Sequence, residues 1–367
     1  VASRLGIQRA SFETSNALWE LDVAHKTKRP KLKKQTRMES NDSLGTADLS
    51  HDRVKVVPVA TTANFLQALG VTNSDGKPRP GKASKLRQIQ KFVEIVSGLV
   101  DKATSGKQSP SHVSVVDMGC GRGYLTFALH DFLCQQYPAK VSCKGIDVRP
   151  KLVVEINDIA RSLGETFDGL SFETGTIESF LLQSSFQPPF AQVDSQSTGD
   201  TCEVLIALHA CDTATDDALW AGISRKAAVI CVAPCCQKEV RRQIDAHFHK
   251  KMDHPMADVL RYGIYRERMT ETVTDSMRAL LLEIMGYDVN VFEFIGGEHT
   301  SKNVMITAVR KPLNLDNKNG TDALRSKLQS LANFYGVSQQ KLASWIGEKL
   351  DDSIPMPPIS RRGLPGV

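Results

Sequence analysis

The chain has 367 residues, of which 41% are hydrophobic and 24% charged, an ordinary composition for a globular protein with a large core. No apolar run in the sequence approaches the roughly 20 residues that span a bilayer, which argues against a membrane-spanning helix. The formal net charge of +5 is modest and uneven, because residues 26–37 carry seven cations and no acid.

Residues 1–54 are polar and lack a sustained hydrophobic period, so the sequence predicts a disordered basic tail. The first interpretation is that the cations of this tail are solvated. The more specific alternatives are that they contact phosphate groups or form a nuclear localisation signal. Arg4 and Arg9 precede the first acid, a weak resemblance to the remainder of a transit segment. Eight cysteines lie scattered through strand-like and helix-like segments, which favours buried thiols in a reducing, intracellular compartment. We expect the cytoplasm, with a nuclear or organellar location as the alternative.

The stretch from Val113 to Tyr124, which reads VSVVDMGCGRGY, predicts a strand, a tight glycine turn and the start of a helix. The β-branched run ends in Asp117, and glycines follow at alternate positions. Glycines allow a sharp turn and let a ligand approach where a Cβ atom would clash. Such a unit at the carboxyl edge of a parallel sheet holds nucleotide-derived cofactors.

Strands and helices alternate after this turn. The pattern predicts strands over 113–117, 141–147, 170–174, 203–208, 227–233, 287–295 and 303–309. It predicts helices over 61–70, 82–102, 150–163, 213–222, 274–285, 321–335 and 338–350. One further helix follows the third strand and ends near residue 182, and another begins near residue 237. The last two strands are joined by so few residues that they must be antiparallel neighbours. The fold class is therefore α/β: a doubly wound, Rossmann-like sheet that is mostly parallel, with an antiparallel last strand.

The chain resembles the class I S-adenosylmethionine-dependent methyltransferases from about Lys82 to Lys311. The resemblance depends on the Asp-x-Gly-x-Gly-x-Gly pattern, on Asp147 at the end of the second strand and on the closing hairpin. It implies S-adenosylmethionine as the cofactor, with Asp147 holding the ribose and the residues after the third strand bordering the adenine. The implied cofactor-binding residues are Asp117, Gly119, Cys120, Gly121, Gly123, Asp147, Thr176, Ile177 and His209. A methyltransferase domain over 55–311 with an N-terminal helical cap (55–110) is then followed by a helical pair and Pro-rich tail (312–367).

Two further motifs are more specific. LHACDTATD begins at Leu208 and APCC at Ala233, and together they resemble one branch of the class I family. That branch includes the tRNA 2′-O-methyltransferases of the acceptor stem, the methyltransferase domain of the glutathione S-transferase C-terminal domain-containing protein, and bacterial methyltransferases. The KLRQI and EHTSKN segments, which begin at Lys85 and Glu298, look most like the bacterial group. The acceptor-stem enzymes carry zinc-binding modules for which this sequence shows no Cys/His spacing, so their tRNA target does not carry over.

Three chemistries compete at the strand ends. Ribose 2′-O-methylation would use the Lys-Asp-Lys-Glu set that many such enzymes carry, which falls here at Lys85, Asp212, Lys238 and Glu298. Pyrimidine C5 methylation of RNA would use Cys211 and Cys235. Metal binding by His209 with the neighbouring thiols is the third chemistry. Adjacent cysteines seldom both reach one tetrahedral ion. We therefore expect His209 and these thiols to line the pocket without binding a metal.

The remaining pocket candidates lie around these strand ends. They are Arg87, Gln88, Cys211, Pro234, Cys235, Cys236, Arg266, Arg268, His299 and Asn303. Residues 265–268 are interpreted as a loop that closes over the substrate, and residues 184–202 as a mobile surface insert. The expected partner is RNA (tRNA or rRNA), supported by the basic segment, Arg266, Arg268 and Arg278, and no membrane. Protein or small-molecule methylation and a non-catalytic cofactor-binding assembly protein remain alternatives.

Overall fold

A computed structural model of the chain describes residues 9–14, 17–22, 31–36, 58–105, 110–137, 140–183, 201–208, 210–249, 255–294, 303–312 and 318–351. The chain divides into two units, Val1–Lys55 and Val56–Val367. The predicted insert at 184–202 falls almost entirely outside the described residues.

The first unit contains an antiparallel sheet of three strands, β1 (Arg9–Thr14), β2 (Ala17–Asp22) and β3 (Lys31–Thr36). These strands lie within residues 1–54, the range that the sequence predicts as a disordered basic tail. The register places Glu20 opposite Lys33 and Asp22 opposite Lys31. These strands lack the apolar period on which the prediction of strands from the sequence depends.

The second unit is built on a sheet of seven strands. They are β4 (His112–Met118), β5 (Lys140–Asp147), β6 (Leu170–Thr174), β7 (Thr201–Ala207), β8 (Val229–Val232), β9 (Tyr287–Glu293) and β10 (Val304–Arg310). The strand order is β6-β5-β4-β7-β8-β10-β9, and only β10 runs antiparallel to its neighbours. The predicted fold class is confirmed, including the antiparallel last strand.

Helices cover both faces of this sheet. They are α1 (Asn64–Ala68), α2 (Ala83–Thr104), α3 (Tyr124–Gln136), α4 (Pro150–Ser162), α5 (Ile177–Gln183), α6 (Thr213–Ser224), α7 (Lys238–His249), α8 (Ala257–Leu260), α9 (Gly263–Ile284), α10 (Lys318–Tyr335) and α11 (Lys341–Ile346). Apolar residues of α2, α3 and α4 pack on one face, and those of α6, α7 and α9 on the other. Among the helices that the structure describes, none is long and apolar enough to cross a membrane.

Helix α9 corrects one prediction. It begins at Gly263, so residues 265–268 are helical and do not form a loop over the substrate. The first turns of α9 lie largely at the surface, and their exposed side chains include Ile264 and Tyr265, so no one-sided apolar stripe marks the helix there. Arg266 pairs with Asp245 of α7 through Nε and Oδ1 at 3.2 Å, whereas Arg268 is exposed.

The two C-terminal helices dock on the main domain. Helix α10 packs on α9 and α11 packs on α6. The indole rings of Trp345 and Trp220 stack with their centroids 6.0 Å apart. The Lys341 Nζ atom lies 2.6 Å from Asp217 Oδ2 at the same contact.

Candidate active site

The carboxyl ends of the parallel strands bring most of the predicted residues to one edge of the sheet. In a doubly wound fold this edge binds ligands, because the loops there leave a crevice on either side of the first strand. The edge carries the glycine turn after β4, Asp147 at the end of β5, and the motifs after β7 and β8.

The glycine turn after β4 requires glycine for two separate reasons. Gly119, Gly121 and Gly123 have φ values of 77°, 58° and 71°, in the left-handed region that other residues rarely adopt. A Cβ atom on Gly123 would also lie 2.9 Å from the ring of Phe172. Two amides of the turn, those of Gly119 and Cys120, donate to the Ile146 carbonyl at 2.8 and 3.0 Å. The turn is therefore anchored to β5.

Asp117 lies buried beneath this turn. Thr126 Oγ1 donates to Asp117 Oδ2 at 2.6 Å. Burial raises the pKa of the Asp117 carboxyl to about 7, and the charge of Asp147 acts in the same direction. A cationic group of a ligand would favour the ionised carboxylate, so Asp117 is suited to a positively charged partner.

Asp147 is fully engaged in hydrogen bonds. Its Oδ1 accepts from the backbone N and the Nε of Arg149, at 3.0 and 2.8 Å. Its Oδ2 accepts from Arg149 Nη2 at 2.8 Å and from the Gly121 amide at 3.1 Å. The Arg149 guanidinium holds the pKa of this carboxyl below its usual range. The sequence analysis missed Arg149, although its place two residues after the strand-end acid is a signal.

The residues after β6 stay close to Asp147. The Gly175 amide donates to the Asp147 carbonyl at 3.1 Å. Thr176 caps α5 reciprocally with Ser179, each side-chain oxygen accepting from the other's amide at 2.9 Å. Thr176 is exposed and Ile177 half-buried, and a role beside an adenine remains a prediction for both.

Two lysines of the α2 region lie against the aromatic residue that begins α3. The Nζ atoms of Lys82 and Lys85 are 5.8 and 5.6 Å from the centroid of the Tyr124 ring. Lys85 Nζ also donates to Gln88 Oε1 at 2.5 Å. Burial, and then repulsion from Lys82, lowers the pKa of Lys85. Arg87 is exposed on the same helix.

Asp212 adopts a strained backbone conformation, with φ 55° and ψ −125°. Such outliers persist where surrounding contacts hold them, often at functional sites. Asp212 Oδ1 accepts from the Glu239 amide at 3.1 Å, and its carbonyl accepts from Arg278 Nη2 at 3.0 Å. Because Lys238 precedes Glu239, two of the predicted catalytic residues become neighbours. Lys85 belongs to the cofactor turn, and Glu298 lies outside the described residues.

Arg278 has a structural position that the sequence analysis did not expect. Its side chain is 1% exposed and pairs with Asp216 at 2.7 Å and Asp275 at 3.1 Å. A guanidinium already held by two buried carboxylates is not available to a phosphate, so Arg278 does not support an RNA surface.

Three thiols converge between the loops after β7 and β8. The Sγ atoms of Cys211 and Cys235 are 2.8 Å apart, and those of Cys235 and Cys236 are 3.5 Å apart. The geometric objection to adjacent cysteines therefore does not hold here. Pro234 is buried next to them. His209, the fourth member of the predicted group, lies outside the described residues.

The last loop is only partly described. His299, like Glu298, lies outside the described residues. Asn303 is buried immediately before β10, and its carbonyl accepts from the Phe294 amide at 2.8 Å. This bond closes the β9–β10 hairpin, so a role in substrate binding remains a prediction for Asn303.

Comparison with known proteins finds one family that matches part of the chain. Residues 84–243 match a family described as "Methyltransferase domain". No curated protein is significantly similar in sequence to the chain. The match covers the glycine turn, Asp147 and both thiol loops, so the site described above belongs to the matched domain.

Solved methyltransferase structures show only distant similarity. The 23S rRNA methyltransferase ErmE has 12% identity and a TM-score of 0.33, covering 65% of this chain and 77% of that chain. Magnesium protoporphyrin IX methyltransferase of Synechocystis, with bound SAH, has 16% identity and a TM-score of 0.32. The match covers 62% of this chain and 87% of that chain. Geranyl diphosphate methyltransferase, in complex with SAM, has 14% identity and a TM-score of 0.32. The match covers 67% of this chain and 94% of that chain. Scores this low carry no inference about the methyl acceptor.

Residues 84–243 are similar to a methyltransferase domain, for which S-adenosylmethionine is the expected cofactor. The described residues fit this cofactor, because the glycine turn lies between two carboxylates, Asp117 near the end of β4 and Asp147 at the end of β5. Asp117 would face the cationic amino acid end and Asp147 the ribose hydroxyls. One contact must change on binding: Arg149 holds the Asp147 oxygens that the ribose would use.

Proposed function

We propose that this methyltransferase acts on RNA, either tRNA or rRNA, with a ribose 2′-hydroxyl as the favoured acceptor. The observation that supports the proposal best is the cluster of Lys82, Lys85 and Tyr124 beside the cofactor turn. An aromatic face flanked by cations suits a nucleotide, because bases stack on aromatic rings and phosphates attract cations.

The chemistry divides between cofactor and protein. Bound S-adenosylmethionine supplies an electrophilic methyl group, and the protein must hold the acceptor oxygen in line with it and accept its proton. Lys85 is suited to the proton transfer, because its lowered pKa leaves more neutral amine near physiological pH. Asp212 and Lys238 are suited to orienting the acceptor.

Methylation of pyrimidine C5 is the second RNA chemistry. It needs a thiolate nucleophile, and burial raises the pKa of the Cys235 thiol, with Cys211 and Cys236 acting in the same direction. This favours the ribose reaction. Protein or small-molecule methylation remains an alternative, as does a non-catalytic cofactor-binding scaffold.

The deciding experiment is methyl transfer from labelled S-adenosylmethionine to total RNA, total protein and a small-molecule extract. We expect label in RNA that ribonuclease releases. After alkaline hydrolysis it should remain in dinucleotides, because a 2′-O-methyl group blocks cleavage of the adjacent phosphodiester. Label in base-modified mononucleotides would favour C5 methylation, and label in protein alone would contradict the proposal. Cofactor binding without transfer to any pool would favour the scaffold.

Substitutions then test the residue roles. We expect Lys238→Ala and Asp212→Asn to lower the rate of transfer with cofactor affinity unchanged. Lys91→Ala is a matched control, because Lys91 is an exposed cation of α2 that pairs only locally with Glu94 at 3.0 Å. Unchanged transfer by Lys238→Ala would remove this residue from the catalytic set.

A further inference from the structure

The three thiols at the carboxyl edge form the one group of metal-ligating side chains of this kind among the described residues. The Sγ atoms of Cys211, Cys235 and Cys236 all lie within 4.8 Å of one another. They come from two loops that follow neighbouring strands, β7 and β8. Their convergence is therefore a product of the fold and not of one local sequence motif.

We propose that Cys211, Cys235 and Cys236 bind one soft divalent cation, Zn²⁺ in particular, as three thiolates. A tetrahedral Zn²⁺ with Zn–S distances of about 2.3 Å requires sulphur atoms about 3.8 Å apart. The separations of 2.8 Å for Cys211–Cys235 and 3.5 Å for Cys235–Cys236 lie near this value. Adjustments of about 1 Å or less, mainly of the exposed Cys211, would complete the geometry.

The proton balance also favours a cation. Binding of one M²⁺ by three thiols releases three protons and leaves a group of net charge −1. Without a cation, any thiolate in this cluster would be close to two further sulphur atoms. A bound cation removes that repulsion, and thiolates are the ligands that Zn²⁺ prefers.

The thiol cluster adjoins a cavity that Cys236 lines. The cavity has a volume of about 110 Å³ and is lined by Cys236, Gln237, Lys238, Arg241, Glu267 and Thr270. Gln237 is 6% exposed, and its Oε1 has no hydrogen-bond partner among the described residues. Buried polar atoms normally have partners. The residue next to Cys236 therefore carries a buried acceptor that is unpartnered among the described residues.

Metal binding would also join the two loops that carry the proposed catalytic residues. Cys211 precedes the strained Asp212, and Cys236 lies two residues before Lys238. A shared cation would hold these residues in fixed relation across the sheet edge.

The test uses the full chain, purified anaerobically with a reductant and stripped of metal by a chelator. We expect titration with Co²⁺ to give about one equivalent bound, with the sulphur-to-cobalt charge-transfer absorption of a thiolate site. Zn²⁺ should displace Co²⁺ and raise the midpoint of thermal unfolding by about 5 °C or more. Each of Cys211→Ser, Cys235→Ser and Cys236→Ser should weaken Co²⁺ binding at least tenfold.

Cys134→Ser is the matched control, because Cys134 is an exposed thiol on α3 with its Sγ 3.6 Å from His130 Nε2. It should leave the stoichiometry and the absorption unchanged. Loss of the site in Cys134→Ser, or retention of one equivalent in the triple variant, would overturn the proposal. So would wild-type chain that binds no Co²⁺ or Zn²⁺. Near-ultraviolet circular dichroism of each variant separates loss of ligands from loss of fold. These outcomes are independent of the RNA assays, because none requires methyl transfer.

Discussion

At the scale of single residues, Arg149 and the cofactor ribose compete for the same carboxylate. The guanidinium of Arg149 makes two hydrogen bonds to Asp147, yet its side chain is 61% exposed. Ion pairs with one exposed partner are screened by solvent and are therefore weak. Arg149 can therefore swing away at small cost, and its pairing keeps Asp147 satisfied until a ligand replaces it.

We predict that Arg149→Ala tightens binding of S-adenosylmethionine by about two- to fivefold, because the competing ion pair disappears. Asp147→Asn should instead weaken binding at least tenfold, because the amide replaces a charged acceptor. Isothermal titration calorimetry measures both. Weaker binding by Arg149→Ala would mean that the guanidinium contacts the cofactor itself.

A second residue-scale prediction concerns Lys85 as a base. Only the neutral amine accepts a proton, so the rate should rise as pH increases through the Lys85 pKa, which lies below its ordinary 10.5. Because Lys82 contributes to this lowering, Lys82→Gln should move the rise to higher pH. Lys85→Arg should lower the rate by about 10²-fold or more, because guanidinium remains protonated.

The measurement is the single-turnover rate of methyl transfer to RNA from pH 6 to 10. Lys91→Gln serves as the control, since it removes a charge from α2 away from Tyr124. An unchanged profile in Lys82→Gln would contradict the role of Lys85 as the base.

What the sequence predicts at this scale depends on distance along the chain. Asp117 and Asp147 are predictable because each ends a strand, and strand ends determine position in this fold. Arg149 and the partners of Arg278 depend on side-chain geometry between segments, which no spacing rule gives. The three thiols lie between these cases: the sequence placed them on neighbouring loops, and only the structure shows their sulphur atoms together.

At the scale of elements, Phe172 of β6 determines how closely the glycine turn approaches the sheet. Its ring stacks on Phe127 of α3 with centroids 5.4 Å apart, and it fills the space above Gly145 of β5. A Cβ atom on Gly145 would lie 2.4 Å from Phe172 Cδ1. Glycine within this strand therefore serves the packing of a neighbouring ring.

We predict that Gly145→Ala lowers the free energy of unfolding by about 1–3 kcal/mol through overpacking. The double variant Gly145→Ala/Phe172→Leu should recover part of that loss, because the smaller side chain makes room. Gly98→Ala is the contrasting control: Gly98 is exposed within α2 with no atom within 4 Å of an added Cβ. It should stabilise by about 0.5–1 kcal/mol. Urea unfolding measures all three, and additive losses in the double variant would contradict the steric explanation.

The elements themselves divide by burial. Strands such as β5 and β6 are predictable because they are buried and apolar between clear turns. The start of α9 is not, since its first turns are largely exposed and the buried apolar residues begin at Val273. Strands β1–β3 are not predictable by the same criterion, because no apolar period marks them.

At the scale of the whole domain, the C-terminal helices brace the loop that carries Asp212. Gln340 Nε2 donates to Asp216 Oδ1 at 2.5 Å, and the Lys341 amide donates to Glu239 Oε2 at 3.1 Å. Arg278 joins the same network, because it bonds both Asp216 and the Asp212 carbonyl. The helical pair thus supports the catalytic edge from beneath.

The pH dependence of an Arg278→Leu variant tests this network. Loss of the cation leaves Asp216 and Asp275 buried without it, which should cost about 3–5 kcal/mol at pH 8. Burial already raises the pKa of Asp275 to about 6 with Arg278 present, and removal of Arg278 would raise it further. A raised pKa in the folded state means that the folded variant binds more protons than the unfolded chain at mildly acidic pH. The loss in the free energy of unfolding of Arg278→Leu, relative to the wild type, should therefore become smaller as the pH falls from 8 to 5.

Thermal and urea unfolding at both pH values measure this deficit relative to the wild type. Arg268→Leu is the control, because Arg268 is exposed on the same helix, and its effect should stay within about 0.5 kcal/mol. Arg278→Leu/Asp275→Asn should recover part of the loss at pH 8, since it removes one of the two uncompensated charges. A deficit that is equal at pH 5 and pH 8 would show that Arg278 stabilises the domain through packing and not through its charge.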